Sequence, residues 1–223
     1  MQKFDTPAPV SAVLDIPAGR VRFVAADRAD TTVEILPADA SKGRDVKAAA
    51  QTGVTYGDGV LRIETAAAKN RALGASGSIE VTVRLPAGSR VEARAAGAEL
   101  RGVGRLGDVT FEGGQATVEL DEAESTRLTL LAGDVSVGRL NGPAEISTRK
   151  GDIHVTEAVR GAVTLRTEHG GISVGAAHGV SAALDAGTGY GRIHNALQNT
   201  AGAAAGLNIR ATTAYGDISA RAL

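Results

Sequence analysis

The chain has 223 residues, no cysteine, no tryptophan, only three Phe and three Tyr, and 24 basic against 25 acidic side chains for a net charge of -1. Disulfides, thiolate chemistry and Cys-ligated metal are therefore excluded. Balanced charge without a basic cluster argues against nucleic acid, and scarce aromatics argue against stacking platforms for single strands or sugars.

Met1 to Pro7 is polar and leads straight into a strand-like run, so neither a leader peptide nor a membrane span is read there. The expectation is a cytoplasmic protein without membrane insertion. Val10–Ile16, Arg20–Val24 and Thr32–Leu36 alternate apolar and polar residues, the mark of half-buried strands. Residues 38–51 are rich in Ala, Lys and Asp, with Val46 alone strongly apolar, and predict a solvated loop or one short helix. Strands resume at 53–56 and 60–64 across Gly57-Asp58-Gly59, a hairpin turn. A second polar excursion spans 66–77, and Ile79–Leu85 is the clearest strand of the chain. It ends at Pro86-Ala87-Gly88, which echoes Pro17-Ala18-Gly19 and suggests that residues 1–95 are a diverged repeat region.

From residue 96 to 223 a repeat takes over. Glycines at 107, 133, 151, 170, 191 and 216 each open an alternating strand, as in Gly133-Asp134-Val135-Ser136-Val137. Their spacing averages about 22 residues, suited to one coil of short strands. Val109, Val135, Ile153, Ile172, Ile193 and Ile218 follow two residues after each glycine. Phe111, Val137, Val155, Val174, Asn195 and Ala220 follow two later. Stacked coils would make each set an inward ladder with rungs about 4.8 Å apart. Leu128 and Leu130, Ile146, Val163 and Leu165, Leu184, and Leu207 and Ile209 supply a facing strand before the glycines. The reading is all-β: a flattened β-solenoid, with a β-sandwich as the alternative.

These Gly-Asp-Ile/Val-x-Val units in strand-rich surroundings resemble the bacterial putative-adhesin domains, from about residue 10 to the end. The resemblance implies a β-solenoid-like architecture and a bacterial source, and it carries no catalytic residues to transfer.

Candidate sites each meet a plainer reading. Gly102-Val103-Gly104-Arg105-Leu106-Gly107 has dinucleotide-binding spacing but runs into a strand rather than a helix, so turn glycines are preferred. Asp108, Asp134, Asp152 and Asp217 could offer stacked carboxylates to Ca²⁺, yet Asp after Gly is ordinary turn chemistry. His154 and His194 share a register and point outward two coils apart, too far for one zinc ion. His169 sits at a turn, and with His178 completes the four histidines. Tyr56, Tyr190 and Tyr215 each precede a glycine and are read as turn packing rather than as an aromatic contact row. Gly74-Ala75-Ser76-Gly77-Ser78 lacks nucleophile-elbow spacing.

No catalytic, cofactor or metal residues are therefore assigned. The expected function is a non-catalytic β-repeat scaffold or protein-interaction module. It would self-associate through an uncapped C-terminal coil ending at Ala222-Leu223. The alternatives are a surface adhesin and a carbohydrate-active β-helix enzyme.

Overall fold

The computed structural model describes residues 1–65 and 77–223. The excursion expected at 66–77 lies outside the described residues except for Gly77, as does Gly74-Ala75-Ser76.

Alternating sequence becomes strand almost everywhere. The N-terminal elements are β1 (Gln2–Asp5), β2 (Ser11–Ala26), β3 (Asp30–Pro37), helix α1 (Gly43–Gln51), β4 (Thr52–Gly57), β5 (Val60–Thr65) and β6 (Ile79–Pro86). β7 (Arg90–Ala132) runs unbroken through several bends. Then come β8 (Val135–Leu140), β9 (Ala144–Lys150), β10 (Ile153–Ala158), β11 (Gly161–His169), β12 (Ile172–Ala176), β13 (Ala182–Tyr190), β14 (Ile193–Ala196), β15 (Leu207–Tyr215) and β16 (Ile218–Ala222).

From β7 onward the strands pair in parallel on two faces. Val118 lies beside Val135, Val135 beside Ile153, and Ile153 beside Ile172, so each turn of chain, or rung, advances 17 to 19 residues. The opposite face joins Leu128 to Ile146 and Ile146 to Leu165. Side chains from both faces form one buried cluster, including Leu128, Ile146, Leu165, Val135, Ile153 and Ile172. Because a strand turns its side chains to opposite sides alternately, each polar residue between them faces solvent. Arg127–Glu145 and Arg139–Glu157 ion pairs then link successive rungs along the outside. The solenoid holds, and the parallel pairing removes the sandwich.

Neither end stacks in chain order. β15 lies between β11 and β13, and β16 lies between β12 and β14, so the last rung in sequence is inserted beneath the one before it. β2 is likewise inserted, with β5 and β6 on one side and β7 on the other. The expected open C-terminal coil is thus corrected: rung 207–222 is enclosed, and rung 182–196 ends the stack. Hydrophobic pattern explains the order. Inside the stack Ala220 is fully buried, and its neighbour on the outer rung is Asn195, which is exposed there. An asparagine buried without partners would cost about 1–3 kcal/mol.

Gly107 is a second correction. A Cβ on Gly107 would lie 2.5 Å from the Gly88 carbonyl oxygen, whereas one on Gly151 would lie 2.1 Å from that of Gly133. Asp108 meets Arg90 and Ser125, at the starts of the stretches of β7 that pair with β2 and β9. Val109 and Phe111 therefore belong to the face opposite Val135 and Val137, and the stretched 26-residue spacing up to Gly133 has no structural meaning. For the same reason the Pro17-Ala18-Gly19 echo fails: Gly19 packs on Ile79, at the corner opposite Gly88.

The N-terminal end is closed by antiparallel pairing of β4 with β5, β3 with β6, and β1 with β3. Helix α1 packs on β3, β5 and β6. It buries Ala48 and Asp45, whose carboxylate accepts the Ser78 N–H at 3.0 Å, while Val46 stays half exposed.

Candidate functional site

One corner of the solenoid carries the most regular chemistry. Gly133, Gly151, Gly170, Gly216 and Gly191 follow one another up the stack, in that spatial order. At Gly170 φ is +156° and a Cβ would fall 2.0 Å from the Gly151 carbonyl oxygen, so only glycine lets the rungs close to sheet distance here.

Three columns rise beside these glycines. In the first, a threonine hydroxyl three residues before each of Gly151, Gly170, Gly216 and Gly191 donates to the glycine carbonyl of the adjacent rung: Thr148 to Gly133 (3.3 Å), Thr167 to Gly151 (3.0 Å), Thr213 to Gly170 (2.9 Å) and Thr188 to Gly216 (3.0 Å). In the second, the residue after the glycine ties rungs together. Asp134 accepts the Asp152 N–H at 2.8 Å, Asp152 accepts the Gly171 N–H at 2.7 Å, and Asp217 accepts the Arg192 N–H at 2.8 Å. Asp134, Asp152 and Asp217 are therefore backbone acceptors. The Arg192 N–H first, and its guanidinium second, hold the Asp217 carboxyl below the usual carboxylate range. Asp108, on the other corner, is lowered by the Ser125 hydroxyl and then by Arg90. Among the described residues no three His, Asp or Glu side chains gather as a metal site.

The third column is the candidate contact surface. The residues just before the glycines line up as Lys150, His169, Tyr215 and Tyr190. The His169 and Tyr215 rings stack with centroids 4.9 Å apart and planes 7° apart, and Tyr215 and Tyr190 stack at 5.1 Å and 4°. Tyr190 is 71% exposed and presents its outer side beyond the last rung. Around it the outer rung is open, with every residue of β14 exposed and Ile193 among them. A bare aromatic face beside an unpaired strand edge can stack on a planar group while offering backbone donors and acceptors.

The other candidates disperse. Tyr56 lies apart, against Phe4 at 5.4 Å. His154 and His194 are separated by Ser173 and Ser219, three rungs rather than two, or about 14 Å at sheet spacing. His178 contacts the Leu223 carbonyl oxygen at 2.6 Å, and Gly102 faces Leu106 and Leu120 inside β7. Two open grooves, of about 550 and 420 Å³, flank the corner of the earlier rungs; Asp15 and Glu112 line the second, where Arg94 pairs with Glu112 at 3.3 Å. No helix among the described residues is long and apolar enough to cross a membrane.

Sequence reading missed the threonines and the stacking of His169 with Tyr215 and Tyr190, although Thr-x-x-Gly recurs at 148, 167, 188 and 213 and His169 shares the tyrosines' place before a glycine.

The stacked architecture has counterparts among solved structures. A putative adhesin from Bacteroides fragilis superimposes with a TM-score of 0.60 at 14% identity, covering 98% of this chain and 95% of that one. A putative adhesin from Parabacteroides distasonis gives 0.46 at 13% identity over 98% and 95%, and a putative cell adhesion protein from Clostridium sporogenes gives 0.40 at 11% over 100% and 98%. The first of these shows the fold, and the chain has the fold of a putative adhesin. No protein-family model and no curated protein matches the sequence.

Proposed function

We propose that the chain is a non-catalytic interaction module of the adhesin kind, which meets its partner at the outer rung. The observation that carries the reading is the His169–Tyr215–Tyr190 stack, whose last ring is 71% exposed at an unpaired strand edge. The partner inferred is a protein surface offering a planar or apolar group and a strand edge, because aromatic anchors at the centre of a contact dominate interface energetics.

The test is binding of labelled protein to immobilised matrix proteins and glycans, comparing the native chain with Tyr190→Ala. Loss of about 10-fold or more in affinity, with unchanged circular dichroism, supports the reading. Equal binding by both proteins to every surface sinks it. Cell fractionation separates an adhesin, which must reach the exterior, from an intracellular scaffold.

A further inference from the structure

The structure assigns a second interaction site: the slot between rung 161–176 and rung 182–196 is a strand-acceptor site, filled by residues 207–222 of the same chain and open to the same segment of a second copy. This inference does not rest on the proposed function.

Three observations carry it. First, the inserted segment is the better core element. Leu207, Ile209, Ala211, Ile218 and Ala220 are all at most 2% exposed, whereas in rung 182–196 only Ala182 is buried. The outer rung is therefore a weakly held lid over a strongly held rung, and it is the part of this end that opens first.

Second, the connection is long. Residues 141–143 join β8 to β9 and residues 159–160 join β10 to β11, yet residues 197–206 join β14 to β15. Fully extended, ten such residues reach about 33 Å, while stepping back by one rung needs only about 5 Å. That reach is enough for the segment to enter a neighbouring molecule once the bonds that hold residues 198–201 to Ser181 and Ala182 open.

Third, the slot recognises its occupant on both sides. Gly170 N–H donates to the Tyr215 carbonyl and Ile172 N–H to that of Asp217, each at 2.9 Å, while Gly216 N–H donates to Tyr190 and Ile218 N–H to Arg192, also at 2.9 Å. The Thr213 and Thr188 hydroxyls complete the register against Gly170 and Gly216. Every one of these contacts is the same whether residues 207–222 come from this chain or another. Reciprocal exchange gives a closed dimer, and one-way exchange gives an open chain of molecules.

Because the chain contains no cysteine, placed thiols report on exchange cleanly. Gly187 and Thr212 are paired neighbours on β13 and β15, and a Cβ on Gly187 meets nothing within 4 Å. Asp185 and Arg210, an ion pair at 3.0 Å, provide a second position. A chain carrying both Gly187→Cys and Thr212→Cys, or both Asp185→Cys and Arg210→Cys, closes its disulfide within one molecule and calibrates the geometry. The two single-cysteine chains are then mixed at high concentration, warmed, cooled and oxidised. Cross-linked heterodimer several-fold above a misregistered control, Thr212→Cys with Ala183→Cys, is the expected result, with a doubled mass by light scattering. If the doubly substituted chains close internally and the mixture gives no more than the control, the inference is overturned.

Discussion

The two ends of the stack solve one problem in different ways. A solenoid end exposes a bare core and an unpaired strand edge. At the N-terminal end the outermost rung, β5 and β6, keeps Leu61, Ile63, Ile79, Val81, Val83 and Leu85 at most 1% exposed, because antiparallel strands and helix α1 cover it. At the C-terminal end the outermost rung leaves Ile193 45% and Tyr190 71% exposed, and residues 197–201 fold back only on its first residues, where the Ala182 N–H donates to the Gln198 carbonyl. One end is built for closure. The other leaves its outer edge largely exposed, at the expense of local stability.

Truncating one isoleucine in each outermost rung breaks this comparison most sharply. Ile63→Ala is expected to destabilise the fold by about 2–5 kcal/mol, as for a fully buried aliphatic, and Ile193→Ala by under about 1 kcal/mol. Urea unfolding of both variants checks this, and equal losses would mean the ends are equally packed. Next in size, Asp45→Ala strips the Ser78 N–H of its acceptor beneath α1 and is expected to cost about 1–3 kcal/mol. The matching loss at the other end, Thr188→Val, removes the hydroxyl bond to Gly216 from a half-buried site and is expected to cost about 1 kcal/mol or less.

Acid sharpens the contrast further. Asp217 has a folded pKa below its ordinary value of 3.8, so its bond to the Arg192 N–H stabilises the outer rung above that value and is lost as pH falls through the lower folded value. Amide exchange at Arg192 should accelerate in acid beyond its intrinsic rate, and Asp217→Asn should remove that dependence; the amides of β5 and β6 should show no such change. The smallest effect is a gain. Gly171 breaks the aspartate column, and a Cβ there meets only ordinary contacts at 3.4 Å and beyond. Gly171→Asn supplies an acceptor for the Asp217 N–H and is expected to raise stability by about 0.5 kcal/mol, read as a small rise in Tm.

Strands, turns and the solenoid itself were legible because alternation and corner glycines are local signals. Ile153 and Ile172 stand two residues after their glycines, and both are buried rungs of one ladder. Gly107-Asp108-Val109 misled because both corners use the same Gly-Asp chemistry, and a local motif carries no record of which face follows. Rung order was hidden for a related reason: it depends on whether Asn195 or Ala220 fits between neighbours, a competition between distant segments. The aromatic row was half legible. Its residues share one register in sequence, but His169 meets Tyr215, and Tyr190 takes the outer place, only because the rungs of Gly216 and Gly191 are exchanged in the stack.

The inserted last rung also has a mechanical meaning. An end rung held on one side would peel away bond by bond under tension. β15 and β16 are instead gripped by parallel strands on both sides, so a pull along the strand direction at Leu223 loads two ladders in shear together. A chain tethered by that residue would resist force at its anchoring point more strongly than at its exposed rung, and would yield first in the lid that covers it.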